Sequence, residues 1–227
     1  VQGVIGHLNS GTTIPASQIY NSAGIPQISP SATNPKYTRQ GFNTTFRVVA
    51  DDVHLGGTLG KYAVNEMKGK SIAVIDDRTA YGQGVADEFE KAVKAAGGAT
   101  LDRQFTTDKA TDFTAILTQI KSKKPDVVFF GGMDAVAGPM LKQMKAGAVV
   151  VDVAMTGGEG DAADVFQSLH MLEGLPWGLA GGDHAVAGGA RRRARRRPVL
   201  RVVLVHAVRL GAARRGRCGS RGAVGRG

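Results

Sequence analysis

Apolar positions in the first two thirds of the chain follow two spacings that alternate in a regular order. Short apolar runs of strand length stand at Val1-Gln2-Gly3-Val4-Ile5, Pro26-Gln27-Ile28-Ser29 and Thr45-Phe46-Arg47-Val48-Val49. Denser runs stand at Lys70-Ser71-Ile72-Ala73-Val74-Ile75, Asp126-Val127-Val128-Phe129-Phe130 and Val149-Val150-Val151-Asp152-Val153-Ala154-Met155. Near-continuous apolarity of this kind marks strands of a parallel sheet covered on both faces. A further strand is expected over 100–105. Between the strands the spacing becomes helical. Val53, Leu55, Leu59, Tyr62, Ala63 and Met67 recur as one face of a helix, and Asp52 is placed to cap it. Other helices are expected from Thr12, over 82–96 with a stop at Gly97-Gly98, from Asp112 to about Lys121, and over 135–145. Strands alternating with helices of this length predict βαβ units, hence an α/β fold with parallel sheets flanked by helices. Open α/β sheets bind ligands at the carboxyl ends of their strands. Ser10, Ser31, Tyr81, Met133 and Glu159 each follow a predicted strand end.

From about Asp161 the pattern decays; Met171 to Trp177 could supply one more short element, and no aromatic residue follows Trp177. The formal net charge of +10 belongs to this last part. Thirteen of the 29 basic residues are arginines after residue 190, which leaves 16 against 19 acids, a net of −3, for residues 1–190. The tail draws on Arg, Ala, Gly, Val, Leu and Pro, whose codons are GC-rich. Residues 161–227 are therefore expected to be a non-native or frameshifted tail, or a disordered one, with a genuine basic extension as the alternative. The chain opens at Val1 inside an apparent strand, so further residues, including a signal peptide of the parent, are expected upstream. No apolar run approaches the ~20 residues of a membrane span.

Val4-Ile5-Gly6-His7-Leu8-Asn9-Ser10-Gly11-Thr12-Thr13 reads as strand, turn and helix start. Hydroxyls and free backbone N–H groups would gather there, at a site suited to a carboxylate. Enzyme signatures are missing. Gly56-Gly57-Thr58-Leu59-Gly60-Lys61-Tyr62 glances toward a P-loop but lacks the first Gly at the required spacing and the Ser or Thr for Mg²⁺. Ser10 lacks the Gly two residues before it that a nucleophile elbow needs. His7, His54, His170, His184 and His206 show no metal-ligand spacing, and the single Cys218 has no catalytic context. No catalytic residue, metal or cofactor is expected.

Several stretches together resemble the leucine/isoleucine/valine-binding family, periplasmic solute-binding proteins of ABC transporters with the type I two-lobed fold. They are Val4-Ile5-Gly6-His7-Leu8-Asn9-Ser10, Pro15-Ala16-Ser17-Gln18-Ile19-Tyr20, Ile28-Ser29-Pro30-Ser31-Ala32-Thr33-Asn34-Pro35, Asp76-Asp77-Arg78-Thr79-Ala80-Tyr81-Gly82-Gln83-Gly84 and Phe129-Phe130-Gly131-Gly132-Met133-Asp134. No single stretch is decisive; their order and spacing together are specific. The resemblance covers about residues 1–160. It implies that 1–50 is the later part of lobe 1 and 51–160 is lobe 2, a fold incomplete at the N-terminus and aberrant at the C-terminus.

The resemblance also implies a free amino acid as ligand, branched-chain or otherwise apolar, and a membrane permease as partner of a monomeric periplasmic protein. Ser10 and Thr33 would supply hydroxyl and backbone donors to the α-carboxylate. The Ser31 carbonyl and the Thr33 hydroxyl would accept from the ammonium, and Glu159 would complete the ammonium site from the other lobe. Tyr81 would wall the ligand on the lobe 2 side, while Leu8, Asn9 and Met133 would line the side-chain pocket. Taken alone, Ser10 and Thr33 read as ordinary capping or loop residues, Tyr81 as packing over its loop, and His7 as a structural loop residue. Met133 departs from relatives that present an aromatic residue there, which leaves the side-chain preference open. Two alternatives remain: a ligand-sensing regulatory module of the same fold, and nucleic-acid binding through the Arg-rich tail, which lacks aromatics for base stacking. With both lobes incomplete, apolar sheet faces are expected to lie exposed, making the chain alone poorly soluble and a weak binder.

Overall fold

The computed structural model describes residues 1–146, 150–156, 177–179 and 199–205. Two parallel sheets follow one another along the chain. The first holds β1 (Val4–Ile5), β2 (Gln27–Ser29) and β3 (Thr45–Arg47), with α1 (Ser10–Ser22) between β1 and β2 and a 3₁₀ turn (Pro35–Thr38) before β3. Helix α2 (Asp52–Asn65) then leads to the second sheet. Its order is β5-β4-β6-β9-β7-β8, from β4 (Ser71–Asp76), β5 (Ala99–Phe105), β6 (Val127–Gly131), β7 (Val150–Thr156), β8 (Trp177–Leu179) and β9 (Val199–Val205). Helices α3 (Ala80–Ala95), α4 (Thr114–Lys123) and α5 (Asp134–Ala146) connect the earlier strands.

Period-two alternation on β4 and β6 builds two cores. Ile72, Val74, Val127 and Phe129 face α2 and α3, where they meet Leu59, Ala63, Val85, Phe89 and Val93. Ala73, Ile75, Val128 and Phe130 face α4 and α5, where they meet Ile120, Val136, Met140, Leu141 and Met144. Strands buried on both faces need apolar residues at every position, which is why these two runs read as unbroken. Phe89 and Phe129 stack with ring centroids 3.8 Å apart and planes 15° from parallel.

The glycines of the P-loop look-alike lie inside α2 and serve packing. A Cβ at Gly56 would come within 2.7 Å of the Phe89 amide nitrogen and the Val85 carbonyl oxygen; one at Gly60 would come as close to Ala92 Cβ and the Phe89 carbonyl oxygen. Four residues apart, the two glycines share a face of α2 and let α3 touch its backbone. Gly57 faces open space.

The first sheet is less covered. Ile5, Ile28 and Phe46 are register partners across β1, β2 and β3, and they are 82%, 40% and 49% exposed. The three form one exposed apolar strip on a face of the first sheet. Two expectations need adjustment. Helix α2 is capped by Asp51, whose carboxylate accepts from the His54 amide, rather than by Asp52, which begins the helix and turns its carboxyl inward. Helix α1 begins at Ser10, not Thr12. Strands β8 and β9 come from the segment 161–227; β9 is an apolar run that pairs with β6 and β7.

Gly56→Ala should lower stability by about 1–3 kcal/mol although alanine favours a helix, because its methyl group meets backbone. Gly57→Ala should raise it by up to about 1 kcal/mol. Urea melts of both variants check the pair of signs.

Candidate ligand-binding site

The loops after β1 and β2 are tied into one unit by small polar side chains. Ser31 Oγ donates to the Leu8 carbonyl at 2.6 Å. Ser29 Oγ and Thr13 Oγ1 both donate to the His7 carbonyl at 3.1 Å, and Ser29 Oγ accepts from the Ala32 amide at 2.9 Å. Ser10 Oγ accepts from the Asn34 amide at 3.2 Å, which leaves the hydroxyl proton for an incoming acceptor. The His7 ring packs on Tyr20 and contacts its hydroxyl at 3.2 Å, in line with a structural role.

The three helix N-termini near this unit differ. Thr79 caps α3 through the Gly82 amide, and Asp51 caps α2. The α1 cap residue, Asn9, makes no side-chain cap. The Thr12 and Thr13 amides turn back to the Asn9 carbonyl, so the start of α1 keeps the Ser10 and Gly11 amides and its positive dipole end for something else, with buried Ser10 as its first residue.

Asn34 and Thr33 carry the loop across to the second sheet's helices. Asn34 Nδ2 donates to the Ala80 carbonyl at 2.7 Å, and the Asp52 amide donates to the Thr33 carbonyl at 2.9 Å. Arg47 donates to the Asn34 carbonyl at 3.2 Å and lies 3.6 Å from the Asp51 carboxylate. Gly84 makes room: a Cβ there would strike Asp52 Oδ2 and stand 2.7 Å from Asn34 Nδ2. On the other side Asp77 joins the two remaining candidates. Its carboxylate accepts from the Thr79 amide and hydroxyl at the start of α3, which carries Tyr81, and from the Met133 amide at 3.0 Å. Burial raises the Asp77 pKa, against these hydrogen bonds.

Of the expected site residues, Ser10, Ser31 and Thr33 come together on the first-sheet loops, buried, with Leu8 and Asn9 exposed beside them. Tyr81 and Met133 sit at the facing ends of α3 and the β6–α5 loop. Tyr81 is 3% exposed and packs among Leu59, Val85 and Phe89; Met133 packs against the same core. Glu159 lies outside the described residues. Asp52, Asn34 and Asp77 were not singled out as site residues in the sequence. Asn34 and Asp77 lie inside the family-like stretches, whereas Asp52 carries only its position at a helix start as a signal.

Asp52 is the electrostatic anomaly. It is fully buried, and burial pushes its carboxyl up to about 7. The Thr33 hydroxyl beside it and the charge of Arg47 pull the other way, while Asp51 and Glu88 add to the rise. The Thr33 hydroxyl, both Asp52 carboxyl oxygens and the Tyr81 hydroxyl are all buried without a hydrogen bond of acceptable geometry. Tyr81 is driven well above its ordinary value by burial and by the charges of Asp52 and Asp77. Asp51, by contrast, is held low: His54 and Arg47 outweigh its partial burial. Among the described residues no group of three or more His, Cys, Asp or Glu is placed to hold a metal, and no helix is long and apolar enough to cross a membrane.

Comparison with known proteins matches this arrangement to one class. Residues 1–179 match the family model described as periplasmic binding protein. The chain belongs to the periplasmic binding protein family. It is 44% identical over 144 residues to Leu/Ile/Val-binding protein homolog 1 of Brucella abortus (strain 2308), covering 63% of this chain and 39% of that protein. It is 40% identical over 142 residues to an amino acid binding protein of Pseudomonas aeruginosa, covering 63% of this chain and 38% of that one. The chain therefore spans about two fifths of the length of these relatives. Its fold is that of the leucine binding protein LivK of Thermotoga maritima, with TM-score 0.69 at 24% identity over 79% of this chain and 50% of that one. LivJ of Streptococcus pneumoniae, solved in complex with isoleucine, gives TM-score 0.65 at 26% identity over 74% of this chain and 47% of that one. The match past residue 160 reaches into the segment set apart by composition.

The raised Asp52 pKa sets a pH dependence of stability. Below pH 3.8 both folded and unfolded chains hold the proton. Between 3.8 and about 7 the unfolded chain loses a proton that the folded chain keeps, so this group's contribution falls as pH rises, then levels off. From pH 4 to pH 8 the stability difference should move in favour of Asp52→Asn by on the order of 4 kcal/mol. Denaturant melts of both proteins across that range read it directly; a difference independent of pH would mean an ordinary carboxyl.

Proposed function

We propose that this chain forms the ligand-holding part of the amino-acid-binding component of an ABC transporter. The carrying observation is the start of α1: uncapped by its own side chain, faced by the Ser10 hydroxyl, and set between two loops locked together. Neutral donors at a helix N-terminus hold a carboxylate without a buried cation. In this reading the ligand carboxylate meets Ser10 and the Thr33 backbone. The ammonium meets the Ser31 carbonyl, the Thr33 hydroxyl and Glu159. Tyr81 closes the lobe 2 side, with Leu8, Asn9 and Met133 around the side chain. The isoleucine in the LivJ complex and the likeness to a Leu/Ile/Val-binding protein homolog of Brucella support a branched-chain ligand. No covalent step is involved. Ligand contacts divided between two lobes favour their closure, and a membrane permease receives the loaded monomer in the periplasm.

A thermal-shift series on the intact protein with leucine, isoleucine, valine and phenylalanine tests this. A ligand that binds only the folded state adds about 2.7 kcal/mol at one hundred times Kd, a shift of several degrees. Ser10→Ala should weaken binding roughly 10- to 100-fold, the loss expected for one hydrogen bond to a charged group. A melting temperature unmoved by every one of the four would sink the reading.

A further inference from the structure

The contact between the β2 loop and the two helix starts is closed over groups that have nothing to bond to. Asp52 N donates to the Thr33 carbonyl and Asn34 Nδ2 to the Ala80 carbonyl, so the loop that carries Ser31 and Thr33 is held against the helix that carries Tyr81. Inside that contact lie four buried polar atoms without partners: Thr33 Oγ1, Asp52 Oδ1, Asp52 Oδ2 and Tyr81 Oη. A neutral carboxyl tolerates such a place. A carboxylate fits poorly, because only the Thr33 hydroxyl, without good hydrogen-bond geometry, stands where its water would be.

We propose that Asp52 is a positioning residue whose neutral form holds the two halves of the binding site together, and whose ionisation hydrates and parts them. The groups facing it agree with this sense. From the cap of its own helix comes Asp51, whose carboxylate already pairs with Arg39, Arg47 and His54 and so occupies the nearby positive charge. From α3 come Glu88 and Tyr81, and from β3 comes Arg47. Burial and the like charges of Asp51 and Glu88 oppose ionisation, and they outweigh the Thr33 hydroxyl and Arg47, which favour it. Hydrating the carboxyl means withdrawing it from Thr33 and Gly84, which moves the loop off both helices. For the amino-acid site of the previous subsection, on whose reading this consequence rests, capture is strongest where Asp52 is neutral, and release is favoured as pH rises.

Two measurements on the intact protein separate the possibilities. The first is ligand-free hydrogen exchange at pH 6 and pH 8.5, corrected for the intrinsic rate, followed at residues 31–38 and in the first turns of α2 and α3. The expected result is lost protection at pH 8.5 in the wild type and none in Asp52→Asn. Asp52→Ser, smaller and also neutral, takes its place should the amide not fold. Equal corrected protection at both pH values in the wild type overturns the proposal. The second is L-leucine affinity over the same range, expected to fall roughly 10- to 30-fold in the wild type and to stay flat in the neutral variant. Leucine binding that is flat in both overturns the proposal and leaves the amino-acid reading standing. Exchange that responds to pH while no amino acid binds supports the junction and overturns the amino-acid reading instead.

Discussion

A buried loop must satisfy its own backbone, and here the loop after β2 does so toward both sheets at once. The Asn34 amide N–H goes to Ser10 on the first-sheet side, and its side-chain amide goes to the Ala80 carbonyl at the start of α3. The Thr33 carbonyl is taken by the first residue of α2. These are the bonds through which the two sheets know each other's position. Lose them and Ser10 and Thr33 stay near each other, tied through Leu8 and Ser29, but Tyr81 and Met133 no longer face them.

The second sheet supplies the rigid side of this contact. β4 and β6 are packed on both faces, and α2 approaches α3 closely enough that two glycines touch backbone. That close approach fixes the start of α2 relative to the start of α3, so Asp52 and Tyr81 have little freedom to separate on their own. Asp77 does the same for the other rim, binding Thr79 and Met133 with one carboxylate. Burial raises both acids, but they are served differently: Asp77 accepts well-formed hydrogen bonds, whereas Asp52 has none of good geometry. The first accounts for order at the site, the second for a place where order depends on a proton.

Most of the secondary structure was legible because it rests on spacing alone. The unbroken runs at 71–76 and 127–131 announce strands covered twice, and the spacing of Leu59, Ala63 and Met67 announces a one-faced helix. The candidate residues at strand exits were legible for the same reason, since parallel sheets expose loops on one edge. The glycines of α2 were rightly set aside as a phosphate motif, but their packing use was not legible because it depends on α3, about thirty residues further along the chain. Asp52 was misread as a cap because a cap and a first-turn acid differ by one residue, and only the backbone turn at Asp51 decides between them.

What the amino-acid sequence determined by itself is the alternation of strand and helix, the burial of β4 and β6 on both faces, and the gathering of hydroxyls where β1 and β2 end. Those follow from local periodicity and from the kinds of groups that helix starts accept. What only the tertiary structure decided is which of those groups are bonded and which are stranded. Ser31 finds the Leu8 carbonyl, whereas the Thr33 hydroxyl, the Tyr81 hydroxyl and the Asp52 carboxyl find nothing. The physical reason is that hydrogen-bond satisfaction and desolvation depend on distances between segments remote in sequence, and a linear pattern does not encode them.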